Sequence, residues 1–254
     1  LMPWKKDDPK VTFKLQSVLM EMLHAAEVGA KHLVMHLPAK ASHSTIIRCL
    51  KKIQKAIDKL GSDGDQDDLD MKAKICTVIL CLEHKAHRPF NDPDNSKNFT
   101  SSRGFANFAK ELQVNGFSPE MSSSSSLRVG LCLDTAHMFV SVEKKSLVST
   151  SSMTKYLSRF EEYKKYIQVI HFNGSCNECG SGHDIHAVPF SIDDKIWNKT
   201  HEGALTLIKT VHSWNVDTPF IIEWKKGSSD MIDACMNILA KASLIPPYRP
   251  GYKK

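Results

Sequence analysis

The chain has 254 residues, of which 41% are hydrophobic and 24% are charged, and its formal net charge is +6. This length suits one sizeable domain, and an α/β barrel of roughly 250 residues can be a single domain. Neither an apolar run of the roughly 20 residues that span a membrane nor a secretory signal pattern is present in the sequence, and the seven cysteines fit reduced thiols. We therefore expect an intracellular protein without a membrane segment.

Helix and strand patterns alternate along the chain. Apolar residues at helical spacing from Leu15 to Ala26 predict a first helix, which Gly29 ends. The continuous apolar runs that follow predict strands at 32–36, 77–83, 129–134, 167–171 and 219–223. Each run precedes a helical pattern, and these patterns fall at 46–60, 105–112, 153–160, 204–211 and 231–239. The acidic segment 62–68 is interpreted as a solvated loop. Strands that alternate with helices predict a parallel sheet with right-handed crossovers.

Every predicted strand ends in a side chain of the metal-binding type. The five strand ends carry His36, Glu83, Asp134, His171 and Glu223. The carboxyl ends of parallel strands converge on one face, where buried charges need partners. A cluster of divalent cations would supply those partners, and His and carboxylate ligands without cysteine suit zinc, manganese or iron. The alternative is that polar residues simply mark the strand ends.

Three further ligand candidates lie just after strands. His137 follows Asp134 by three residues, and Asp184 and His186 form an Asp-x-His pair after a glycine-rich loop. Eight candidates exceed the needs of one ion, and two or more close metals are typical of phosphate ester hydrolysis. Loops that follow the strands also carry cations that suit a polyanion, among them Lys40, Lys85, Arg88 and Lys225. These cations are otherwise ordinary surface charges.

A Cys-x-x-Cys pair, Cys176 and Cys179, lies between His171 and Asp184. We interpret it as a pair of loop thiols, because no second pair stands at the spacing of a structural zinc site. An additional zinc site remains the alternative.

Five segments together resemble the endonuclease IV family of apurinic/apyrimidinic (AP) endonucleases. They are LVMHLPA, VILCLEH, VGLCLDTAH, VIHFNGS with GSGHDIHA, and FIIEW, and the resemblance covers about residues 1–240. The ECGSG segment, the following D-x-HA and a downstream Ile-Trp are most similar to the large-DNA-virus branch. The resemblance implies a (βα)8 TIM barrel of the xylose-isomerase-like type. It also implies a zinc-dependent class II AP endonuclease of the deoxyribonuclease IV type, which hydrolyses the phosphodiester 5′ to an abasic site in double-stranded DNA during base-excision repair.

The resemblance gives each candidate ligand a role at one of three zinc ions, with Mn²⁺ or Fe²⁺ as alternatives at some positions. The implied ligands are His36 for the first ion, Glu83 between the first and second, Asp134, His171 and Glu223 for the second, and His137, Asp184 and His186 for the third. Glu83 and Glu223 would also be catalytic, because they would position the hydroxide that attacks phosphorus. Abasic DNA would be the partner of a monomer in the cytoplasm, the nucleus or a virion.

The sequence also departs from the family pattern. The first three strands of the family have no counterpart, so we expect a partial barrel over 1–244 and a tail over 245–254, with the missing part trimmed, supplied by another chain or lost. The histidine that the third strand gives to the first zinc has no assigned residue here. Ile185 stands where the family usually has an arginine that contacts DNA. Two rival functions therefore stay open: a divalent-metal sugar isomerase or epimerase on the same barrel, and a catalytically impaired DNA-binding remnant.

Overall fold

A computed structural model describes residues 10–38, 41–86, 99, 101–121, 125–141, 147–197, 200–223, 233, 236 and 240. The helices are α1 (Lys10–Glu27), α2 (His43–Lys59), α3 (Gln66–Thr77), α4 (Ser102–Val114), α5 (Thr135–Ser141), α6 (Thr150–Leu157) and α7 (Glu202–Trp214), with a 3-10 helix at Ser158–Tyr166. The strands are β1 (His32–His36), β2 (Ile79–Glu83), β3 (Arg128–Asp134), β4 (Ile167–His171), β5 (Gly174–Ser175), β6 (His186–Ala187) and β7 (Phe220–Ile221). None of the helices described is long and apolar enough to cross a membrane.

Five of these strands form one parallel sheet in the order β1-β2-β3-β4-β7. Each neighbour in the sheet is the next predicted strand along the chain, and the connections between them contain helices. All five strands predicted from apolar runs are present, so the predicted parallel α/β architecture is confirmed. The predicted last helix and the tail at 245–254 lie essentially outside the residues described, and the domain boundary stays a prediction.

In the acidic segment the prediction of a loop was partly wrong. Asp65 caps a helix there, because its side chain accepts hydrogen bonds from the backbone amides of Asp67 and Asp68. These two acids then occupy the first turn of α3, where the helix dipole favours negative charge. Residues 66–68 therefore begin a helix, and only 62–65 of the predicted loop remain outside it. Thr77, predicted as the start of a strand, is the last residue of that helix.

The two faces of the sheet are packed differently. Alternate strand residues such as Leu80, Leu82 and Leu131 join the large cluster that contains the buried side chains of the helices. The other face carries a small separate cluster, which consists of Ile79, Cys81, Cys132 and Val169 with Val34 against it. Because side chains along a strand alternate between faces, the residues two positions after this small cluster share its face. That geometry directs the strand-end acids and histidines to one side of the sheet.

Candidate metal centre

Glu83 lies at the centre of a cluster of histidines. It ends β2, pairs in register with His36 of β1, and is fully buried. Its carboxylate oxygens lie 3.5 Å from Nε2 of His36, 3.2 Å from Nδ1 of His137 and 3.4 Å from Nδ1 of His171. One carboxylate is thus shared by imidazoles from β1, α5 and β4, which is the arrangement of a group that bridges two cations.

A second group forms at the ends of β3 and β4. Asp134 and His171 are paired in the sheet register, and Oδ2 of Asp134 lies 3.9 Å from Nδ1 of His171. The same ring nitrogen lies 3.1 Å from Oε2 of Glu223, just beyond β7. Three strand ends therefore supply two carboxylates and one imidazole around a common point, with Glu83 on its other side.

A third group depends on a loop that folds back onto the sheet. Strands β5 and β6 pair antiparallel and carry His186 to the strand ends. Oδ2 of Asp184 lies 2.9 Å from Nε2 of His137, and Oδ1 of Asp184 lies 3.0 Å from Nε2 of His186. Backbone amides of Gly180 and Gly182 donate to the carbonyls of α5 residues, and these bonds fix the loop against that helix.

The structure brings all eight predicted ligands into one connected cluster. Three sets made up only of predicted ligands have their ligand atoms within 4.8 Å of one another: His36, Glu83 and His137; Glu83, Asp134, His171 and Glu223; Asp134, His137 and His186. Both carboxylate oxygens of Glu83, Nδ1 of His171 and Nε2 of His186 are buried without a hydrogen-bond partner. Such groups are costly inside a protein unless a cation or donor satisfies them, so this donor set fits bound divalent metal.

A surrounding layer of polar groups orients the ligands. Asp134 accepts a hydrogen bond of 2.7 Å from the backbone amide of His137, and so caps the start of α5. Nδ1 of His137 lies 2.7 Å from the carbonyl oxygen of His84. When that nitrogen donates to the carbonyl, Nε2 is left as the free ligand atom on the side of Asp184.

Two members of this layer were not predicted from the sequence. Asn173 is fully buried and donates to Oδ2 of Asp134 at 2.6 Å and to Oε2 of Glu223 at 3.2 Å. Nε2 of His84, which is also buried, accepts from the backbone amide of Asp134 at 3.3 Å. The sequence feature that could have identified them is their position. His84 directly follows one strand-end ligand, and Asn173 follows another by two residues.

The charged side chains of the cluster shift one another's pKa values. Burial would raise the pKa of Glu83, but the His137 and His171 imidazoles beside it hold that pKa well below its usual range. Burial likewise opposes protonation of these imidazoles, yet the surrounding carboxylates raise the pKa of His137 to about 11 and that of His171 to about 10. Burial lowers the pKa of His84 to about 3, so this ring is neutral. Glu83 thus remains charged in the cluster, and protons occupy His137 and His171 when no metal does.

The other predicted residues are distributed as follows. Lys85 is exposed and lies two residues beyond Glu83, whereas Lys40, Arg88 and Lys225 lie outside the described residues. Ile185 is also exposed, between Asp184 and His186. Cys176 and Cys179 are half-buried free thiols, and neither belongs to a metal-type group within the described part of the chain.

Comparison with known proteins identifies relatives of this chain, although no family model matches it. A probable AP endonuclease of African swine fever virus (isolate Tick/Malawi/Lil 20-1/1983) is 27% identical over 243 residues, which cover 92% of this chain and 68% of that protein. A probable endonuclease 4 of Mycoplasmopsis synoviae (strain 53) is 26% identical over 222 residues, covering 84% and 63%. The chain is therefore similar to viral and bacterial proteins named AP endonuclease and endonuclease 4. The resemblance expected from the five sequence segments is thereby confirmed.

Solved structures agree on the fold of this chain. The crystal structure of AsfvAP:AG matches with a TM-score of 0.63 and 22% identity, over 96% of this chain and 70% of that one. Endonuclease IV from Thermus thermophilus matches with a TM-score of 0.60 and 16% identity, over 96% and 74%. A xylose isomerase domain protein from Planctomyces limnophilus gives 0.51 and 13%, over 93% and 68%. The predicted xylose-isomerase-like TIM-barrel class is confirmed, and the five-stranded sheet is part of such a barrel.

The chain matches only part of the length of its relatives. It spans 68% of the first viral relative and 53% of a second one from the Pretoriuskop Pr4/1996 isolate. The activity and partners of the whole-length proteins are therefore considered separately below.

Proposed function

We propose that this chain carries the catalytic centre of a zinc-dependent AP endonuclease, a phosphodiesterase that cleaves double-stranded DNA 5′ to an abasic site in base-excision repair. One observation carries the proposal: the strand ends and a folded-back loop bring carboxylates and imidazoles together around buried, unpartnered oxygens and nitrogens. The relatives named AP endonuclease and endonuclease 4 support the choice of reaction. We also propose that the protein acts as an intracellular monomer.

Three zinc ions would be held by the eight clustered residues. His36 and Glu83 would hold the first, Glu83, Asp134, His171 and Glu223 the second, and His137, Asp184 and His186 the third. The contact of 2.9 Å between Nε2 of His137 and Oδ2 of Asp184 supports placing His137 with the third ion. Zinc bound there would supply electrostatic stabilisation of the phosphate and make a water more acidic.

The two glutamates would have different tasks because their surroundings differ. Glu83 is buried against three imidazoles. Its carboxylate would serve as a fixed negative charge that holds the first and second ions at a set distance. The side chain of Glu223 is 38% exposed, so water and substrate can reach it. Its Oε2 contacts His171 and Asn173, and the other oxygen would orient a water and accept its proton. We therefore propose Glu223 as the main base at the attacking water.

Contacts with the DNA backbone would come from cations around the strand ends. Lys85 is exposed two residues beyond the end of β2, and Lys40, Arg88 and Lys225 are proposed for the same role from their sequence positions. The exposed side chain of Ile185 supplies no charge to phosphate. DNA binding would therefore depend more on these lysines and Arg88 than on the loop between Asp184 and His186.

A nicking assay on a duplex with one synthetic abasic site tests the proposal. The protein is stripped with a chelator, reconstituted with zinc and assayed beside Glu223→Gln and a surface control, Glu161→Gln, whose residue lies in the 3-10 helix. We expect cleavage 5′ to the abasic site with a 3′-hydroxyl end for the unmodified and control proteins. The Glu223→Gln variant should retain most of its metal and lose cleavage.

Metal analysis of the same samples distinguishes the nuclease from the two rival functions. Three zinc ions with nicking support the proposal. One or two ions with turnover of a ketose would replace the nuclease with a sugar isomerase or epimerase. Binding of the duplex without nicking by metal-loaded protein would establish the DNA-binding remnant instead, and normal nicking by Glu223→Gln would overturn the role of that residue.

A further inference from the structure

A buried thiol lies directly beneath the metal centre. Cys132 is in β3, two residues before Asp134, and is fully buried in the small inner cluster. In the sheet register it is the direct partner of Glu83 on one side and of Val169, two residues before His171, on the other. Its side chain is therefore held between the two strands that supply the most shared ligands of the centre.

The sulfur of Cys132 forms a ligand group of its own. Its Sγ, a carboxylate oxygen of Glu83 and a ring nitrogen of His171 all lie within 4.8 Å of one another. Both oxygens of Glu83 and Nδ1 of His171 are buried and have no hydrogen-bond partner. These atoms supply an observation independent of the cysteine, because buried polar groups without a hydrogen-bond partner are costly unless a cation or donor satisfies them.

The second thiol of this layer differs from the first. Cys81 is also fully buried in the inner cluster, but its Sγ lies 3.7 Å from the carbonyl oxygen of Ile79, near the amino end of β2. It belongs to none of the metal-type groups found in the described part of the chain. The comparison shows that burial in this layer does not by itself bring a thiol to the strand-end ligands.

We propose that Cys132, Glu83 and His171 form a thiolate-containing subsite that takes a soft divalent cation of the Cd²⁺ class. Thiolate ligands select soft cations, whereas the oxygen and nitrogen ligands above it suit zinc, manganese and iron. On binding, the Cys132 S–H bond breaks, its proton passes to solvent, and a sulfur–metal bond forms with no change of oxidation state.

The subsite shares two ligands with the second zinc position of the proposed nuclease. Glu83 and His171 cannot serve both cations in full, so a soft cation bound through Cys132 would exclude zinc from that position. A thiophilic metal would thus inactivate the centre by taking Glu83 and His171 as ligands at the Cys132 subsite. It would not need to occupy the zinc position itself. The subsite itself depends on geometry alone and exists whether or not the chain cleaves DNA.

Titration of metal-free protein with Cd²⁺ tests the proposal. Cys176 and Cys179 are more accessible thiols, so the background protein carries Cys176→Ser and Cys179→Ser. Binding is followed by the ultraviolet charge-transfer absorption of a cadmium–thiolate bond, and by metal content after gel filtration. We expect the absorption in the background protein and in its Cys81→Ser variant, and its loss in Cys132→Ser and in Cys132→Ala.

Competition supplies a second measurement that does not depend on removing the thiol. Preloading with zinc should suppress the absorption, and Glu83→Gln, which keeps Cys132, should weaken Cd²⁺ binding about tenfold or more. A signal that persists in both Cys132 variants, or that is absent from the background protein, would overturn the proposal. Failure of the nuclease assay would leave these readouts unchanged, because none of them involves DNA.

Discussion

The side-chain nitrogen of Asn173 lies 2.6 Å from Oδ2 of Asp134, and it joins that carboxylate to a second one, Glu223. Its side-chain oxygen accepts a hydrogen bond of 2.9 Å from the backbone amide of Glu223. One buried amide therefore fixes two predicted metal ligands that are far apart in the chain. Hydrogen bonds of this kind orient ligands and keep their charge available to a metal.

Replacing Asn173 by alanine should weaken metal binding without removing any ligand. The change leaves Asp134 without its side-chain donor and the amide of Glu223 without its acceptor, so both ligands lose their fixed orientation. We expect zinc affinity to fall on the order of 10–100-fold. Competition with a chromophoric chelator measures this, and Asn177→Ala, in the neighbouring loop, serves as the matched control. Equal affinities in the two variants would contradict the positioning role.

Proton release should accompany metal binding at pH 8. His137 and His171 have pKa values raised to about 11 and about 10, so both rings are protonated at this pH when the protein is metal-free. Ligation requires neutral imidazole, so about two protons leave these rings as the centre fills. Apparent affinity should accordingly rise with pH until it passes these values. Calorimetric titration with zinc in buffers of different ionisation enthalpy counts the protons, and a binding enthalpy independent of the buffer would refute the prediction.

The strand ends could be predicted from sequence because the central strands are buried on both faces. A continuous apolar run such as 129–133 leaves the first polar residue, Asp134, as the candidate for the strand end, and parallel strands then gather such ends. Local sequence patterns therefore predicted most of the fold and pointed to all eight candidate ligands. They did not separate an acidic helix start at Asp65 from a solvated loop, since acids favour both.

The supporting residues could not be predicted because their roles depend on distant contacts. Asn173 acts on residues 39 and 50 positions away, and no local spacing encodes that relationship. The ligand group of Cys132 depends likewise on pairing between β2, β3 and β4. In the sequence, both side chains are typical of ordinary core or loop positions.

A methyl group at position 174 should disturb the loop that carries the third ligand group. A Cβ on Gly174 would lie 2.6–2.8 Å from the carboxylate of Asp194. That carboxylate is fully buried and accepts hydrogen bonds from the backbone amides of Ser175, Phe190 and Ile196. The clash would break part of this network, and we expect Gly174→Ala to lower the free energy of unfolding by roughly 1–3 kcal/mol.

Urea unfolding and metal content together test the Gly174→Ala variant. Because β5 pairs with β6, which begins at His186, the variant should also lose affinity at the third group before the others. The control is Asp193→Ala, which removes the exposed acid next to Asp194 and leaves the buried network intact. A variant as stable and as fully metallated as this control would show that Asp194 does not hold the loop.

Lys85 should contribute to DNA binding through charge alone. It is exposed two residues beyond Glu83, so a phosphate bound at the metal centre would lie near its ammonium group. Each phosphate contact of this kind releases a counterion, and its removal lowers the slope of log affinity against log salt by about one. We expect Lys85→Ala to bind an abasic duplex more weakly with this smaller slope. Lys209→Ala, which removes an exposed lysine of α7, should retain the original slope.

Fluorescence anisotropy over a series of salt concentrations measures the Lys85 prediction. The titrations use the Glu223→Gln background, so that cleavage does not consume the duplex. An unchanged slope in Lys85→Ala, or an equal loss in Lys209→Ala, would remove Lys85 from the proposed DNA contact. Lys85 would then be too far from the DNA to displace a counterion from a phosphate. Cations on other loops would have to bind the phosphate backbone instead.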